Sequence, residues 1–477
     1  MRNPLRRTTQ RIVFERAAPD PAVVTHALQG SAQRVFWLED VADRAQHEPL
    51  VGRLDADLAV VGGGYLGLWA AVKAKQRAPE ARVVLLEAQT IGWAASGRNG
   101  GFCEASLTHG EANGQNRWPR EMATLTRLGD ENLAEIERQL GLLGLDCAWE
   151  RTGSVDVALE EHEIEWLEPE TEGFLDRTAV RRLVDSASYL AGRWHRDSTA
   201  LVHPAKLAKE LGRAAAELGV EIFENTRVEG LEAPGRGPVT LSTARGGVHA
   251  AHVVLATNAF PALLARYRLH TVPVYDYVLM TEPLSAAQLA SIGWEGRQGL
   301  ADLANQFHYY RRTADDRILF GGYDAVYHYG RAVRASYEER TETFRRLASH
   351  FFTTFPQLEG LRFTHRWAGA IDTSSRFCAF YGLDLGGRVA TAAGFTGLGV
   401  GATHFAAEVL LDRLSGISNE RTELEMVRRQ PVPFPPEPFA SAGIAATKWA
   451  MDRADHDRGR RNLLLRTLDA AGLGFDS

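Results

Sequence analysis

The chain has 477 residues, 45% of them hydrophobic and 24% charged, with a formal net charge of −6. That composition fits a globular protein of two to three domains and gives no basic footprint for nucleic acid. Three scattered cysteines, Cys103, Cys147 and Cys378, suggest neither a disulfide framework nor a zinc site, and a reducing, cytoplasmic setting is expected.

Residues 1–50 read as a lead-in arm whose first 20 residues are basic without the apolar segment of a secretion signal, and whose one apolar patch, Arg34–Val41, is expected to dock on the main body. The longest apolar run, Leu58–Val72, is shorter than the roughly 20 residues a membrane span needs, and it contains three consecutive glycines. It is better read as strand "DLAVV", turn "GGGYLG" and a helix ending before Pro79, followed by strand "RVVLLE". From about 107 to 195 the chain is charged, with a helical stretch at "GDENLAEIERQLGLLG" and a strand at "GSVDVAL". His203–Glu232 gives a helix started by Pro204 and ended by Gly219, then strand "VEIFE". "HVVLATNAF" is a buried strand and turn. "TVPVYDYVLMTEPL" and "FHYYRRTADDRILFGGY" read as antiparallel strands, the latter pair joined at Asp315–Asp316. Gly387–Gly416 is again strand, glycine-rich turn and helix, and a Pro-rich, helical tail follows.

The expected organisation is an α/β Rossmann-like domain interleaved with an antiparallel-sheet domain. The first takes 51–106, 200–265 and 363–416; the second takes 107–199 and 266–362; 417–477 is the tail.

Gly62, Gly64 and Gly67 form G-x-G-x-x-G between a strand and a helix, the place where a tight turn brings backbone against a pyrophosphate. Glu87 ends the second strand 20 residues after Gly67, the spacing of a carboxylate that binds an unphosphorylated ribose. FAD and NAD both satisfy that unit. "AASGRNGGF" (94–102) is a second Gly-rich loop, and Gly394, Gly397, Gly399 and Gly401 precede a late helix. A ligand running on from the first site would use both, and the late helix N-terminus suits a flavin ring that gains negative charge on reduction. A bland surface loop and close helix packing are the alternatives for these two stretches.

Taken together, "DLAVVGGGYLG", "VVLLE", "GWAASGRNGG", "VVLATNAF" and "AGFTGLGVG" resemble the D-amino-acid oxidase superfamily of FAD-dependent oxidoreductases, over roughly 34–416. "ASGRNGG", "TVPVYDYVLMTEPL" and "YYRRTADDRILFGG" look most like its gamma-glutamylputrescine oxidase branch. The resemblance implies a glutathione-reductase-like FAD domain. In it Gly62, Gly64, Tyr65, Leu66, Gly67, Glu87 and Ala88 hold the ADP part, and Ser96, Arg98, Asn99, Gly100 and Gly101 pass the pyrophosphate and flavin. It puts the Val228 backbone at the adenine, Thr257 and Asn258 in the site, and Gly394, Phe395, Thr396, Gly397, Leu398, Gly399 and Val400 along the flavin pyrimidine.

It also implies oxidation of a C–N bond by hydride transfer to FAD, with an imine then hydrolysed. The donor is a gamma-glutamylated amine, a secondary or N-methyl amino acid, or a plain amino acid; the acceptor is O2 or another oxidant. A non-catalytic FAD-bound subunit is the alternative of another class. Some relatives attach FAD through a His or Cys; "SGRNGGF" has no His and "RWAGAIDTSS" no Cys, so noncovalent FAD is expected. Relatives that use a Lys beside the flavin to activate O2 set a second contrast: no Lys lies between Lys209 and Lys448. Candidates in contact with substrate are Tyr309 and Arg311, which alternation puts on one strand face, and Trp367. His404 and His203 read as packing and helix-start residues. No metal is expected, and the oligomeric state is open.

Overall fold

"DLAVV" is the end of a ten-residue strand, β1 (Gly52–Val61), whose last four residues are buried. It feeds α1 (Tyr65–Arg77), which is buried from Tyr65 to Lys75. β2 (Val83–Leu86) follows, fully buried, and then α2 (Met122–Leu142) and β3 (Ser154–Ala158). α3 (Pro204–Glu217) starts where Pro204 predicts, with the His203 ring accepting from the Lys206 amide. Next come β4 (Glu221–Phe223), β5 (Gly246–Leu255), β6 (Thr271–Thr281), β7 (Gly299–Asp302), β8 (His308–Arg312) and β9 (Ile318–Gly322). The remaining elements are α4 (Thr341–Thr354), β10 (Phe363–Ser374), β11 (Val389–Ala393), α5 (Gly399–Leu414) and α6 (Phe439–Asp455). These elements belong to a computed structural model that describes residues 10–474 except 42 and 44; residues 1–9 of the expected arm lie outside it.

Two sheets organise the chain. In the first, β11, β5, β1, β2 and β4 run parallel in that order, extended by the antiparallel strands Val239–Thr243 and Val228–Glu232 and by Phe380–Asp384 beside β11. β5 starts at Gly246, earlier than its apolar run suggests, because it pairs with β1 from Gly52 onward. The second sheet is largely antiparallel, in the order β10, β6, β9, β8, β7, β3 and Ala191–His195. β7 and β3 are its parallel pair of long strands.

Three expectations are corrected. Residues 363–374, assigned above to the nucleotide-binding part, are β10 of the second sheet, paired with β6 from Thr271↔Ser374 to Thr281↔Phe363. α2, assigned to the substrate part, buries Leu125, Leu128, Leu133, Ile136 and Leu140 in the same core as Trp69 of α1 and Leu410 of α5. Its apolar stripe is wide enough to cover those helices, and sequence order carries no information about which layer a helix joins. The arm docks through Trp37 and Val41 as expected, but more of it joins the fold than that patch. Ala32–Gln33 adds a strand beside β10, and Phe14, Val24 and Ala27 are buried in the second sheet's core.

Where the two halves meet they share a small apolar cluster: Trp37, Val41, Ala205, Val278, Met280, Leu319 and Trp367. Val278 and Met280 of β6 and Trp367 of β10 therefore define the face of the second sheet that looks at the first half.

Candidate active site

β1 and β11 flank β5 on the same side-by-side parallel array, so their two glycine turns open at one carboxyl edge of the sheet. Two strand spacings separate them, about 10 Å. Ligands of open α/β sheets bind at that edge.

At the first turn, Gly62 has φ +113°, and a Cβ on Gly67 would overlap the Gly62 carbonyl oxygen. Gly64 is the helix N-cap and brings no side chain; the Ser96 hydroxyl accepts from the Tyr65 amide at 3.0 Å. The 94–102 loop thus meets the α1 N-terminus directly. Tyr65 and Leu66 themselves point into the protein, with the Tyr65 hydroxyl donating to the Pro204 carbonyl at 2.9 Å. The buried Glu87 carboxylate accepts from the Gly63 amide at 2.6 Å, the Gln89 amide at 2.8 Å and the Trp93 indole at 2.9 Å. Burial raises its pKa, and those three donors oppose the shift. Ala88 is exposed just beyond it. The Glu87 carbonyl accepts from the Thr226 amide at 2.8 Å, which brings the Val228 strand beside the same edge. Thr257 and Asn258 follow β5, half-buried, with Asn258 at φ +49°.

The loop is built from its own side chains. Asn99 Nδ2 donates to the Ala95 and Ser96 carbonyls, both at 3.0 Å, and Asn99 Oδ1 accepts from the Gly101 amide at 2.8 Å. Arg98 donates to the Trp93 carbonyl at 2.8 Å and pairs with Glu338 at 2.6 Å, tying the loop to the second half. Two indoles grip it from outside: Trp37 Nε1 donates to the Asn99 carbonyl at 3.0 Å and Trp367 Nε1 to the Arg98 carbonyl at 2.8 Å. Trp367 is 1% exposed, so it is a clamp on the loop rather than an open wall of a pocket.

Tyr309 and Arg311 share the face of β8 that meets this loop. A Cβ on Gly100 would come within 2.5 Å of the Tyr309 ring, and Phe102 meets the same ring edge-on at 5.9 Å. Arg311 is buried and donates to the Val202 carbonyl at 2.6 Å and the Gly101 carbonyl at 3.3 Å. Burial pulls its pKa down to about 10. His308 and Tyr310 point to the opposite face, where His308 joins Asp302 at 2.6 Å and His350 at 2.8 Å, and Tyr310 bonds Tyr189 at 2.7 Å.

At the late turn, Gly394 has φ +78° and its amide donates to Asp372 at 2.5 Å. Thr396 Oγ1 accepts from the Ser374 amide at 3.2 Å. Phe395, Leu398 and Val400 are buried, whereas Gly397 is exposed and a Cβ on Gly399 would meet nothing nearer than 3.9 Å. No side chain caps α5, so its first amides have no side-chain acceptor.

Residue-type reasoning passed over three groups. Asp372 lies beneath the late turn with its carboxyl pushed up to about 7 by burial. His109 lies within 3.9 Å of the Cβ position at Gly397, and burial lowers its pKa to about 4, so it is neutral at pH 7. Asp276 sits on the inner face of β6 and accepts from the Tyr309 hydroxyl. Asp276 had a signal: it is the acid at an inward position of "VPVYDYVLM", between Val274 and Val278. Asp372 and His109 had none, because what surrounds them comes from distant segments.

A dinucleotide with a flavin fits this donor set: a glycine turn at one helix N-terminus, a carboxylate at the end of the next strand, and a second open helix N-terminus on the same edge. All three cysteines are buried, and desolvation raises each thiol above its usual range, Cys103 beside the loop included. Lys73, Lys75, Lys206 and Lys448 are held elsewhere, by Glu135 and Glu408, by the Ala81 carbonyl, near Asp40 and by Asp324 respectively. No helix among the described residues is long and apolar enough to cross a membrane.

Comparison with known proteins adds to this geometry. A family model described as FAD dependent oxidoreductase matches residues 57–413. The chain is 30% identical over 392 residues to the gamma-glutamylputrescine oxidoreductase of Escherichia coli, covering 78% of this chain and 86% of that one. It is 27% identical over 404 residues to a probable oxidoreductase OrdL of Haemophilus influenzae, covering 80% and 88%. Among solved structures it resembles the glycine oxidase of Geobacillus kaustophilus, with a TM-score of 0.63 at 20% identity, covering 77% of this chain and 96% of that one.

Proposed function

The chain belongs to the family of FAD-dependent oxidoreductases that act on amines or amino acids, and from that premise we propose that its donor is an amine of the gamma-glutamylputrescine type. FAD, held without a covalent bond, would supply the two-electron acceptor that takes a hydride from the carbon beside the amine nitrogen. The imine product then takes up water and separates into a carbonyl compound and ammonia or an amine.

The observation that carries this reading is the shared carboxyl edge, where both glycine turns lie and where the 94–102 loop meets the first of them. On that edge, Gly62, Gly64, Gly67 and Glu87 would take the ADP part, the 94–102 loop the middle of the cofactor, and the 394–400 turn the flavin end. Tyr309 and Asp276 would close the substrate side. Trp37, Trp367, Arg98 and Asn99 fix the loop so that the donor carbon meets a rigid surface. The high thiol pKa values support noncovalent attachment, since a thiolate is the attacking species. Free cysteines accord with a reducing cytoplasm.

Anaerobic addition of amines and amino acids to the flavin-loaded protein tests the reading through bleaching of the yellow band. Gamma-glutamylputrescine should bleach it at the lowest concentration; a flavin that dithionite reduces and no amine or amino acid does would make the chain a non-catalytic subunit. Acid precipitation should leave the pellet colourless. Rapid mixing of the reduced protein with air tells oxidase from dehydrogenase, and slow reoxidation is expected from a site without lysine.

A further inference from the structure

The inner face of the second sheet holds a carboxylate that no cation among the described residues meets. Asp276 stands in register with Gly369 of β10, and its partner on β8 is the Tyr309 hydroxyl. Among the described residues no Lys, Arg or His pairs with it. The two guanidiniums that border this face are both engaged. Arg98 is held by Glu338 and by the Trp93 and Ala368 carbonyls, and Arg311 by the Gly101 and Val202 carbonyls.

Both members of the pair keep part of their surface exposed, with small residues as neighbours. Gly321 of β9 and Gly100 of the loop are the positions against which the Tyr309 ring lies, and Gly369 leaves the Asp276 carboxylate without a facing side chain. Asp276 is half-buried, so a ligand between loop and sheet can reach it. A half-buried carboxylate in such a place is costly unless something positive meets it.

We propose that Asp276, oriented by Tyr309, binds the ammonium group of the substrate, and that this pair selects amines over α-amino acids. An α-amino acid would bring its carboxylate beside the reacting carbon, against Asp276 and without a free guanidinium to receive it. At its reacting end an amine brings a cation alone; the carboxylate of a gamma-glutamyl group lies at the far end of the molecule. The inference rests on the amine reading above and names the residues that decide it.

Ammonium binding should also depend on pH. Burial lifts the Asp276 carboxyl to about 6, and the Tyr309 hydrogen bond and the Tyr277 and Gly322 amides hold it down. The charged or titratable groups on the elements around it include Tyr309 and Arg311 on β8 and, over Gly369, Arg98 of the loop with its partner Glu338; β9 and β10 present Gly321 and Gly369. Amine binding is then strongest above pH 6 and weakens as the carboxylate takes up a proton below it.

The test uses the flavin-loaded protein, gamma-glutamylputrescine and N-acetylputrescine as amine probes, and sarcosine, proline and alanine as amino-acid probes. For Asp276→Asn the half-saturating amine concentration should rise roughly 10- to 100-fold, the worth of a charge-assisted contact, with a smaller change in the limiting rate of bleaching. The acid limb near pH 6 should vanish. Half-saturation within twofold of the unmodified protein, or a retained acid limb, overturns the proposal and leaves the enzyme reading intact. So does an unmodified protein bleached by the amino acids and by neither amine. Bleaching by no probe at all overturns both. Should Asp276→Asn lose its flavin, Tyr309→Phe decides: the acid limb, read by calorimetric titration of N-acetylputrescine, should move to higher pH as the carboxyl loses its donor. An unmoved limb overturns the proposal.

Discussion

At the first glycine turn a Cβ on Gly67 would overlap the Gly62 carbonyl oxygen and sit 3.1 Å from Val60, whereas at the late turn a Cβ on Gly399 would find no neighbour nearer than 3.9 Å. Both turns lead from a parallel strand to a helix on one sheet edge. The first is the more tightly packed, and the Ser96 hydroxyl accepts from the Tyr65 amide at its helix start. The second leaves its helix N-terminus open. The glycine pattern alone therefore does not tell a packing requirement from a binding one; the neighbours do.

The strongest way to break this comparison is Gly67→Ala. Overpacking against backbone that cannot move away should cost about 3 kcal/mol and abolish FAD binding, read by denaturant unfolding of the apoprotein. A stable, FAD-binding variant would show that the turn relaxes. Asn99→Ala comes next. It removes three loop hydrogen bonds, leaves the Gly101 amide short of an acceptor and should destabilise the loop by about 2 kcal/mol, with weaker FAD retention in a folded protein. Full FAD occupancy in fluorescence titrations would return the loop to a surface role. Gly399→Ala should leave apoprotein stability unchanged or raise it by up to about 1 kcal/mol, since alanine is the better helix former. Its FAD affinity should fall about tenfold, the equivalent of 1.4 kcal/mol of lost fit; unchanged affinity would mean that no ligand approaches α5.

The smallest effect concerns pH. The Asp372 carboxyl is raised to about 7 in the fold, so its ionisation costs stability as pH climbs from the unfolded carboxyl range towards 7. Below pH 7 the protonated group grips the Gly394 amide less firmly. FAD affinity should fall roughly threefold between pH 8 and 6, a modest hydrogen-bond effect. Asp372→Asn should flatten that slope, and an unaltered slope would assign it to another group.

Much of the nucleotide half was legible because its signals are local: a buried strand, a glycine turn, a helix and a carboxylate at fixed spacing. Alternation along "HYYRR" likewise separated Tyr309 and Arg311 from His308 and Tyr310. What Arg311 and Trp367 do was not legible. Their partners are backbone carbonyls more than 100 and 200 residues away, at Val202 and Arg98. The assignment of β10 to the second sheet was hidden for the same reason, since strand pairing is decided by a partner and not by the strand's own composition.

By itself the sequence determined the dinucleotide fingerprint, the family resemblance and the alternation of inward and outward side chains. These follow from backbone geometry and periodicity, which act over a few residues. Only the tertiary structure decided that both turns share one edge, that two tryptophans clamp the 94–102 loop, and that Asp276 meets Tyr309 with no cation paired to it among the described residues. Burial and pairing depend on segments far apart in the chain, and charge chemistry in a cleft depends on burial and pairing.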